Sequence, residues 1–135
     1  MISGLSHTTL SVKNLERSFR FYTEVLRLKP VARWDKGAYL LAGEAWICLS
    51  LDGDTRSGPL PEYTHLAFSV DHSKFPNLVQ SLLNAGTASW QENHSHGDSF
   101  YFLDPDGHKL EIHTSDLVAR LASLRLNPPS DLILF

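Results

Sequence analysis

Short stretches of the chain alternate apolar and polar residues, which is the pattern of β-strands with one buried face. In the first half these stretches cover residues 5–12, 28–35, 37–43 and 45–51. In the second half they cover residues 63–70, 88–93, 99–104 and 108–113. The pattern therefore predicts eight strands, four in each half of the chain.

Three other stretches have the apolar spacing of amphipathic helices. They cover residues 14–26, 73–86 and about 115–125. Asn14 is a suitable N-cap for the first helix, and Ser73 is a suitable N-cap for the second. Gly86 is expected to end the second helix.

The order of these elements, β-α-β-β-β, occurs twice, which predicts an α+β fold of paired βαβββ modules in one domain, residues 1–135. The predicted parts are module one at about 4–51, a Gly-, Pro- and Asp-rich linker at 52–62, module two at about 63–113, and a C-terminal helix with a tail at 114–135. A helix covers only one face of each small sheet. The other faces, from two halves or from two chains, should therefore close around a shared cavity.

The face of each strand that is not apolar has an unusual composition, because alternate side chains share a face. It contains His7, Thr9, Trp46, Cys48, Ser50, Tyr63, His65, Ser99, Tyr101, Glu111 and His113. A solvated face would more typically contain Lys, Glu and Arg. The composition instead favours a concave, partly enclosed binding site.

Two imidazoles and a carboxylate around one point form a good site for a divalent metal with open positions. His7, His65 and Glu111 are the candidate ligands, and the two histidines lie at matching places in the first strand of each half. His113 shares the face of Glu111 and is either a rival ligand or a hydrogen-bonding partner of the site. The other histidines are expected to be exposed to solvent: His72, His94, His96 and His108.

Composition and charge narrow the class of protein. Apolar residues make up 42% of the 135 residues, charged residues make up 20%, and the net charge is −3, as expected for an ordinary globular protein. The negative charge argues against nucleic acid or an anionic membrane as the main partner. The one cysteine, Cys48, excludes an internal disulfide and suggests the cytoplasm, and no signal peptide or membrane-spanning stretch is evident.

Several segments together resemble a known family, the fosfomycin-inactivating glutathione transferases, which are the fosfomycin resistance proteins of the A type. The similar segments are "GLSHTTLSV" (4–12), "ARWDKGAYLLAGEAWICLS" (32–50), "YTHLAF" (63–68) and "GDSFYFLDPDGHKLEIH" (97–113). The "FLDPDGH" motif with a following glutamate is common to the wider vicinal-oxygen-chelate superfamily and therefore indicates the fold. The other segments are more specific to the family.

The resemblance implies a homodimer of paired βαβββ modules with shared, domain-swapped active sites, each with Mn²⁺ or another divalent metal. His7 would come from one subunit, and His65 and Glu111 from the other. Fosfomycin would bind the metal through phosphonate and epoxide oxygens, and glutathione thiolate would open the epoxide. A potassium ion would lie near the phosphonate.

The resemblance also assigns roles to other side chains of this sequence. Substrate contacts would come from Thr9, Trp46, Tyr63, Gln91, Ser95, Ser99, Tyr101 and Arg120, of which Thr9 and Arg120 would assist catalysis. The glutathione region would contain Trp34, Tyr39, Cys48 and Ser50, with Tyr39 bonded to the attacking sulfur. The potassium loop would contain Asn93, Ser95 and Gly97.

One segment departs from the family pattern. The family has lysine after the tryptophan of "W-K-Q-N", whereas this chain has Gln91 followed by Glu92. The loss of a charge-assisted hydrogen bond is expected to cost about 1.5–3 kcal/mol, or about ten- to a hundredfold in phosphonate affinity.

Other functions of the same superfamily remain open from the residues alone. Two histidines and a carboxylate also suit Fe(II) in an extradiol dioxygenase. A glyoxalase would need a fourth protein ligand, and a bleomycin-binding protein would need an acidic, aromatic cleft and no metal.

Overall fold

The computed structural model describes residues 1–135 and contains eight strands and three helices. The strands are β1 His7–Val12, β2 Lys29–Trp34, β3 Gly37–Ala42, β4 Ala45–Leu51, β5 Leu66–Ser69, β6 Ser89–Gln91, β7 Ser99–Leu103 and β8 Lys109–His113. The helices are α1 Leu15–Arg20, which continues as a π-helical turn Phe21–Val25, α2 Phe75–Asn84, and α3 Leu117–Leu126. None of them is long and apolar enough to cross a bilayer.

The strands form two four-stranded mixed sheets with the same internal order. Sheet A has the order β1-β4-β3-β2, and sheet B has the order β5-β8-β7-β6. In sheet A, β1 pairs in parallel with β4, and in sheet B, β5 pairs in parallel with β8. All the other pairs are antiparallel. This repeated order confirms the predicted α+β fold of paired βαβββ modules.

Helix α1 begins as predicted, because the Asn14 Oδ1 atom accepts a hydrogen bond from the Arg17 backbone N–H at 3.0 Å. The π-helical turn that follows places two consecutive aromatic side chains, Phe21 and Tyr22, in the core with their rings edge to face. The helix therefore presents a broad apolar surface to both sheets.

The apolar faces of the two sheets share a single core. Fifteen buried residues from both modules form one contiguous cluster, in which the Phe21 ring of module one lies 6.4 Å from the Phe102 ring of module two. The polar faces of the sheets must therefore point away from this shared core. Within one chain the polar faces of the two halves therefore do not close around a shared cavity.

The "DPDG" turn between β7 and β8 connects the two modules through buried carboxylates. The Tyr22 hydroxyl donates to Asp104 at 2.6 Å, and the backbone N–H groups of Asp106 and His108 donate to the same carboxylate. Burial raises the pKa of the Asp104 carboxyl. Burial and the nearby negative charge of Asp104 together raise the pKa of the Tyr22 hydroxyl well above 10. Tyr22 therefore keeps its proton and remains a hydrogen-bond donor.

Asp106 makes a second connection to α1. Its carboxylate accepts hydrogen bonds from the Arg17 guanidinium at 3.0 Å, the Ser18 hydroxyl at 3.1 Å and the Lys13 backbone N–H at 3.1 Å. The Asp106 side chain is only 1% exposed, so these three donors replace the water that the charge has lost.

Two predicted boundaries were wrong. The strand predicted at 63–70 covers only Leu66–Ser69, which are the residues that pair with Leu110–His113 of β8. Helix α2 begins at Phe75 with Lys74 as its N-cap, since Asp71 accepts hydrogen bonds from both the backbone N–H and the hydroxyl of Ser73. Gly86 follows α2 with a positive φ of 75°, in agreement with its predicted role.

The prediction that His108 is exposed was also wrong. Its ring is half-buried, because Nε2 lies 2.7 Å from the Ser11 carbonyl oxygen and Nδ1 lies 3.1 Å from the Arg56 guanidinium. Arg56 belongs to the linker between the modules, so these contacts hold the linker against the β7–β8 turn.

We expect Asp106→Ala to lower the free energy of unfolding by about 2–4 kcal/mol, because it leaves the buried Ser18 hydroxyl and the Lys13 N–H without an acceptor. Glu24→Ala is the matched control, since it also removes a carboxylate paired with an arginine of α1 but on an exposed surface. The control should cost less than about 0.5 kcal/mol. Urea unfolding curves measure both values, and equal losses would contradict a structural role for Asp106.

Candidate metal and anion site

One predicted pair of metal ligands lies together on sheet B. Ala67 of β5 is opposite Glu111 of β8, and His65 is two residues before Ala67 on the same face. The His65 Nε2 atom is 3.0 Å from Glu111 Oε2, and the His65 Nδ1 atom is 2.9 Å from the Tyr63 carbonyl oxygen. The Glu111 residue is buried, at 6% exposure.

The hydrogen bonds of His65 suit a metal ligand. A carbonyl oxygen can only accept, so Nδ1 carries a proton, and Nε2 is the ring nitrogen that faces Glu111 and is placed to bind a metal. Two ligand atoms about 2.1 Å from an octahedral ion lie about 3.0 Å apart, so the spacing of Nε2 and Oε2 fits neighbouring ligands of one divalent cation. His65 and Glu111 therefore fit a divalent metal.

His7, the third predicted ligand, lies on sheet A. It is exposed, its ring is 4.5 Å from the Trp46 ring, and its Nδ1 atom is 3.0 Å from the Ser6 hydroxyl. No group of three His, Cys, Asp or Glu side chains within one chain could hold a metal. One chain therefore brings together two of the three predicted ligands.

The residues predicted to contact glutathione lie together on the polar face of sheet A. Thr9, Cys48 and Tyr39 form one row across β1, β4 and β3. The Tyr39 ring packs edge-on between Trp34 at 4.9 Å and Trp46 at 5.0 Å. Trp34, Tyr39 and Trp46 therefore form an exposed aromatic cluster on sheet A, next to His7.

Trp34 lies over Gly37, which has no side chain to obstruct it. A Cβ atom at Gly37 would be 2.7 Å from the Trp34 ring and 2.8 Å from the Leu49 carbonyl oxygen. Ser50 is opposite Gly37 in the neighbouring strand. The glycine therefore sets the position of the Trp34 ring beside Ser50.

A second group of aromatic rings surrounds His65 on sheet B. The rings of Tyr63, Trp90 and Tyr101 lie 5.0, 5.3 and 6.1 Å from the imidazole of His65. Trp90 was not predicted to be in the site, since regular alternation in β6 would place Trp90 and Gln91 on different faces of the sheet. A bulge between Ser89 and Gln91 breaks that alternation, and no feature of the sequence marks the bulge.

Gln91 lies opposite Tyr101, and its amide donates to the Tyr63 hydroxyl at 3.1 Å. This part of the face also has a cation, Lys109, that was not among the predicted site residues. The Lys109 ammonium lies 5.2 Å from the centre of the Trp90 ring and donates to the Glu62 carbonyl oxygen. Alternation in β8 predicts that Lys109 lies on this face, because Lys109 is two residues before Glu111.

Ser99 and His113 lie beside Glu111, and Arg120 lies beside His113. The Ser99 hydroxyl oxygen is 2.6 Å from both Glu111 Oε1 and His113 Nδ1. An Arg120 NH2 group is 3.5 Å from His113 Nε2, and the buried Arg120 Nε has no partner. Tyr101, which is opposite Glu111, completes this group of predicted phosphonate contacts.

The loop predicted to hold potassium is closed by its own hydrogen bonds. The Asn93 amide nitrogen donates to the Gly97 carbonyl oxygen at 2.9 Å, and Asn93 Oδ1 accepts from the backbone N–H and the hydroxyl of Ser95. Gly97 has a φ of 85°, and a Cβ atom there would lie 2.7 Å from Ser115. The three predicted residues therefore form one compact, oxygen-rich turn.

Residues 4–112 match the family model described as the Glyoxalase/Bleomycin resistance protein/Dioxygenase superfamily, and the chain belongs to this superfamily. This family is the one that the repeated sheet order and the His65–Glu111 pair indicate.

More specific similarities lie within that superfamily. The chain is 47% identical to glutathione transferase FosA from Serratia marcescens, over 98% of this chain and 96% of that protein. It superposes on the fosfomycin resistance protein FosX from Listeria monocytogenes with a TM-score of 0.79 and 28% identity, over 91% of this chain and 99% of that one. A variant of that FosX, with a TM-score of 0.75, 27% identity and coverage of 90% and 99%, was solved with Mn(II) and 1S,2S-dihydroxypropylphosphonic acid.

Proposed function

We propose that this protein is a metal-dependent glutathione transferase that inactivates fosfomycin in the cytoplasm and confers resistance to it. The observation that carries the proposal is the His65–Glu111 pair, 3.0 Å apart, in a chain 47% identical to FosA over nearly its full length. In the reaction, the glutathione sulfur forms a bond to an epoxide carbon, the C–O bond breaks, and the resulting alkoxide takes up a proton.

His65, Glu111 and His7 are the proposed ligands of Mn²⁺. When bound, the metal would supply Lewis-acid stabilisation of the charge that develops on the epoxide oxygen. The Tyr63 carbonyl fixes the tautomer of His65, and Ser99 holds the other oxygen of Glu111. The ligands are thereby oriented before substrate binds.

The anionic phosphonate group would bind on sheet B. Arg120 supplies positive charge, and its buried Nε–H has no partner within the chain, so it is available as a donor to an incoming anion. Tyr101 and Ser99 are the neighbouring hydroxyl groups, and Thr9 would approach from sheet A. We assign K⁺ to the Asn93–Ser95–Gly97 turn, whose carbonyl, amide and hydroxyl oxygens suit a hard cation.

Glutathione would bind along the aromatic cluster of sheet A, where Trp34, Tyr39 and Ser50 lie. The Tyr39 hydroxyl is the proposed partner of the attacking sulfur, because its ring is held between two tryptophans at the exposed face. Cys48 is buried in this face and is not proposed as a nucleophile.

A second copy of the chain would complete each site. His7 is on sheet A and His65 is on sheet B, and the apolar faces of both sheets are buried in one core together with α1 and α2. The polar faces nevertheless leave aromatic side chains open, with Tyr63 60% and Trp34 45% exposed. Sheet A of one chain facing sheet B of another would bring His7 to the His65–Glu111 pair and cover these rings.

The test of this function is glutathione consumption in the presence of fosfomycin and Mn²⁺. The wild type should consume glutathione only when fosfomycin is present, and a chelator should stop the reaction. His65→Ala should lose at least about a hundredfold in turnover, because it removes a ligand that Glu111 cannot replace. His72→Ala removes an exposed histidine and should leave turnover unchanged.

Glutathione consumption without fosfomycin, or equal turnover by His65→Ala and wild type, would contradict the proposed function. Oxygen consumption with Fe(II) and a catechol, in place of thiol transfer, would assign the site to a dioxygenase.

Gln91→Lys should tighten fosfomycin binding by about ten- to a hundredfold, because it adds a charge-assisted hydrogen bond next to Tyr101. Gln91→Met is the matched control, since it has a similar length and also loses the hydrogen bond to Tyr63 but adds no charge. Calorimetric titration with fosfomycin in Mn²⁺, without thiol, measures the affinities. Unchanged or weaker binding by the lysine variant would show that position 91 does not face the phosphonate.

A further inference from the structure

We infer that His113 is a positioning residue, which orients Ser99 and Arg120 around Glu111 and does not itself bind the metal. It lies at the end of β8, with a side chain that is 15% exposed, in contact with Ser99, Glu111 and Arg120. The expected effect of His113 on fosfomycin binding rests on the proposed function. The expected effect of His113 on the orientation of Glu111 rests on the hydrogen-bond geometry alone.

The Ser99 hydroxyl fixes the first hydrogen bond of His113. Ser99 has one proton and lies 2.6 Å from both Glu111 Oε1 and His113 Nδ1. An ionised carboxylate cannot donate, so the Ser99 proton must point to Glu111. The Ser99 oxygen then accepts, and His113 must carry its proton on Nδ1.

Arg120 leads independently to the same arrangement of His113. A guanidinium group has donors only, and its NH2 group faces His113 Nε2 at 3.5 Å. The Nε2 atom must therefore present a lone pair, which again places the proton of the neutral ring on Nδ1. Two neighbours on opposite sides of the ring thus require one tautomer.

The resulting hydrogen bonds all run in one direction, from Arg120 to His113, from His113 to Ser99, and from Ser99 to Glu111. They keep Glu111 Oε1 occupied, which leaves Oε2 as the oxygen that faces His65. The lone pair of His113 Nε2 is directed at Arg120, so His113 is not oriented as a ligand of the same metal.

His113 can also hold Ser99 while an anion binds. The single Ser99 proton can be donated to Glu111 or to a phosphonate oxygen, but not to both. In either case the Ser99 oxygen continues to accept from His113 Nδ1, which keeps the proton directed at an anionic acceptor. The same ring packs against the potassium loop, because a Cβ atom at Gly97 would lie 3.3 Å from His113 Cε1.

Three substitutions of His113 separate its two hydrogen bonds. In His113→Asn an amide group reaches the position of Nδ1 and can still donate to Ser99, but nothing reaches Arg120. In His113→Gln an amide oxygen reaches the position of Nε2 and can still accept from Arg120, but the donor to Ser99 is lost. His113→Ala removes both contacts.

We would measure Mn²⁺ affinity of the chelator-treated protein by calorimetry, and then fosfomycin affinity in saturating Mn²⁺ without thiol. His113→Ala should weaken both by about ten- to a hundredfold, as is typical when a partner of a ligand is removed. His113→Asn should bind Mn²⁺ within about threefold of wild type but bind fosfomycin more weakly. His113→Gln should recover more of the fosfomycin affinity than of the Mn²⁺ affinity.

Two controls accompany the series. Ser99→Ala should weaken Mn²⁺ binding as His113→Ala does, and the double variant should add little, because both remove one chain of hydrogen bonds. His72→Ala should match the wild type, and thermal unfolding should show all variants folded. Recovery by Asn and Gln is a result that a general packing role would not produce.

The inference is overturned if His113→Ala binds both ligands like the wild type, or if all three variants lose Mn²⁺ as completely as His65→Ala does, which would make His113 a ligand. A wild type that binds Mn²⁺ but not fosfomycin would contradict the proposed function instead. In that case the Mn²⁺ affinities alone decide the role of His113.

Discussion

The arrangement of this protein depends on the burial of the apolar faces of both sheets in one core, together with α1 and α2, within one chain. Phe21 and Tyr22 of the first module reach Phe102 and Asp104 of the second, and one core contains residues from both. Since each sheet has only one other face, the hydroxyl-, imidazole- and aromatic-rich faces must point outward. The distribution of the proposed site over two faces of the chain follows directly from this packing.

The buried carboxylates of the β7–β8 turn make this packing specific. Apolar surfaces attract one another without fixing a precise orientation, whereas Asp104 and Asp106 accept hydrogen bonds only from donors in set positions. The most recognisable motif of the sequence, "FLDPDGH", therefore has a structural role in this chain. The proposed metal site lies a few residues further along, where Glu111 and His113 follow on the polar face of β8.

The alternation of side chains was sufficient to predict the eight strands and the polar composition of one face, because a period of two is a local property of the chain. It placed Glu111 and Tyr101 on the same polar face, where the structure pairs them across β7 and β8. It did not predict Trp90, since a bulge in β6 depends on pairing with β7 and leaves no mark in the residues themselves. Likewise, His108 appeared exposed because its partner Arg56 is distant in sequence. Alternation identifies which face is buried but cannot identify what covers it, so residues alone did not decide between two halves and two chains.

The central claim, that each site is completed by His7 of a second chain, is tested by complementation. His7→Ala and Glu111→Ala chains each lack a ligand, but a mixed dimer would contain one intact site if the ligands come from two chains. Random re-assortment of the two inactive variants should restore about a quarter of wild-type turnover, since about half of the dimers are mixed and each has one of two sites intact. No recovery, with mixed dimers verified by mass spectrometry, would contradict a site shared between chains.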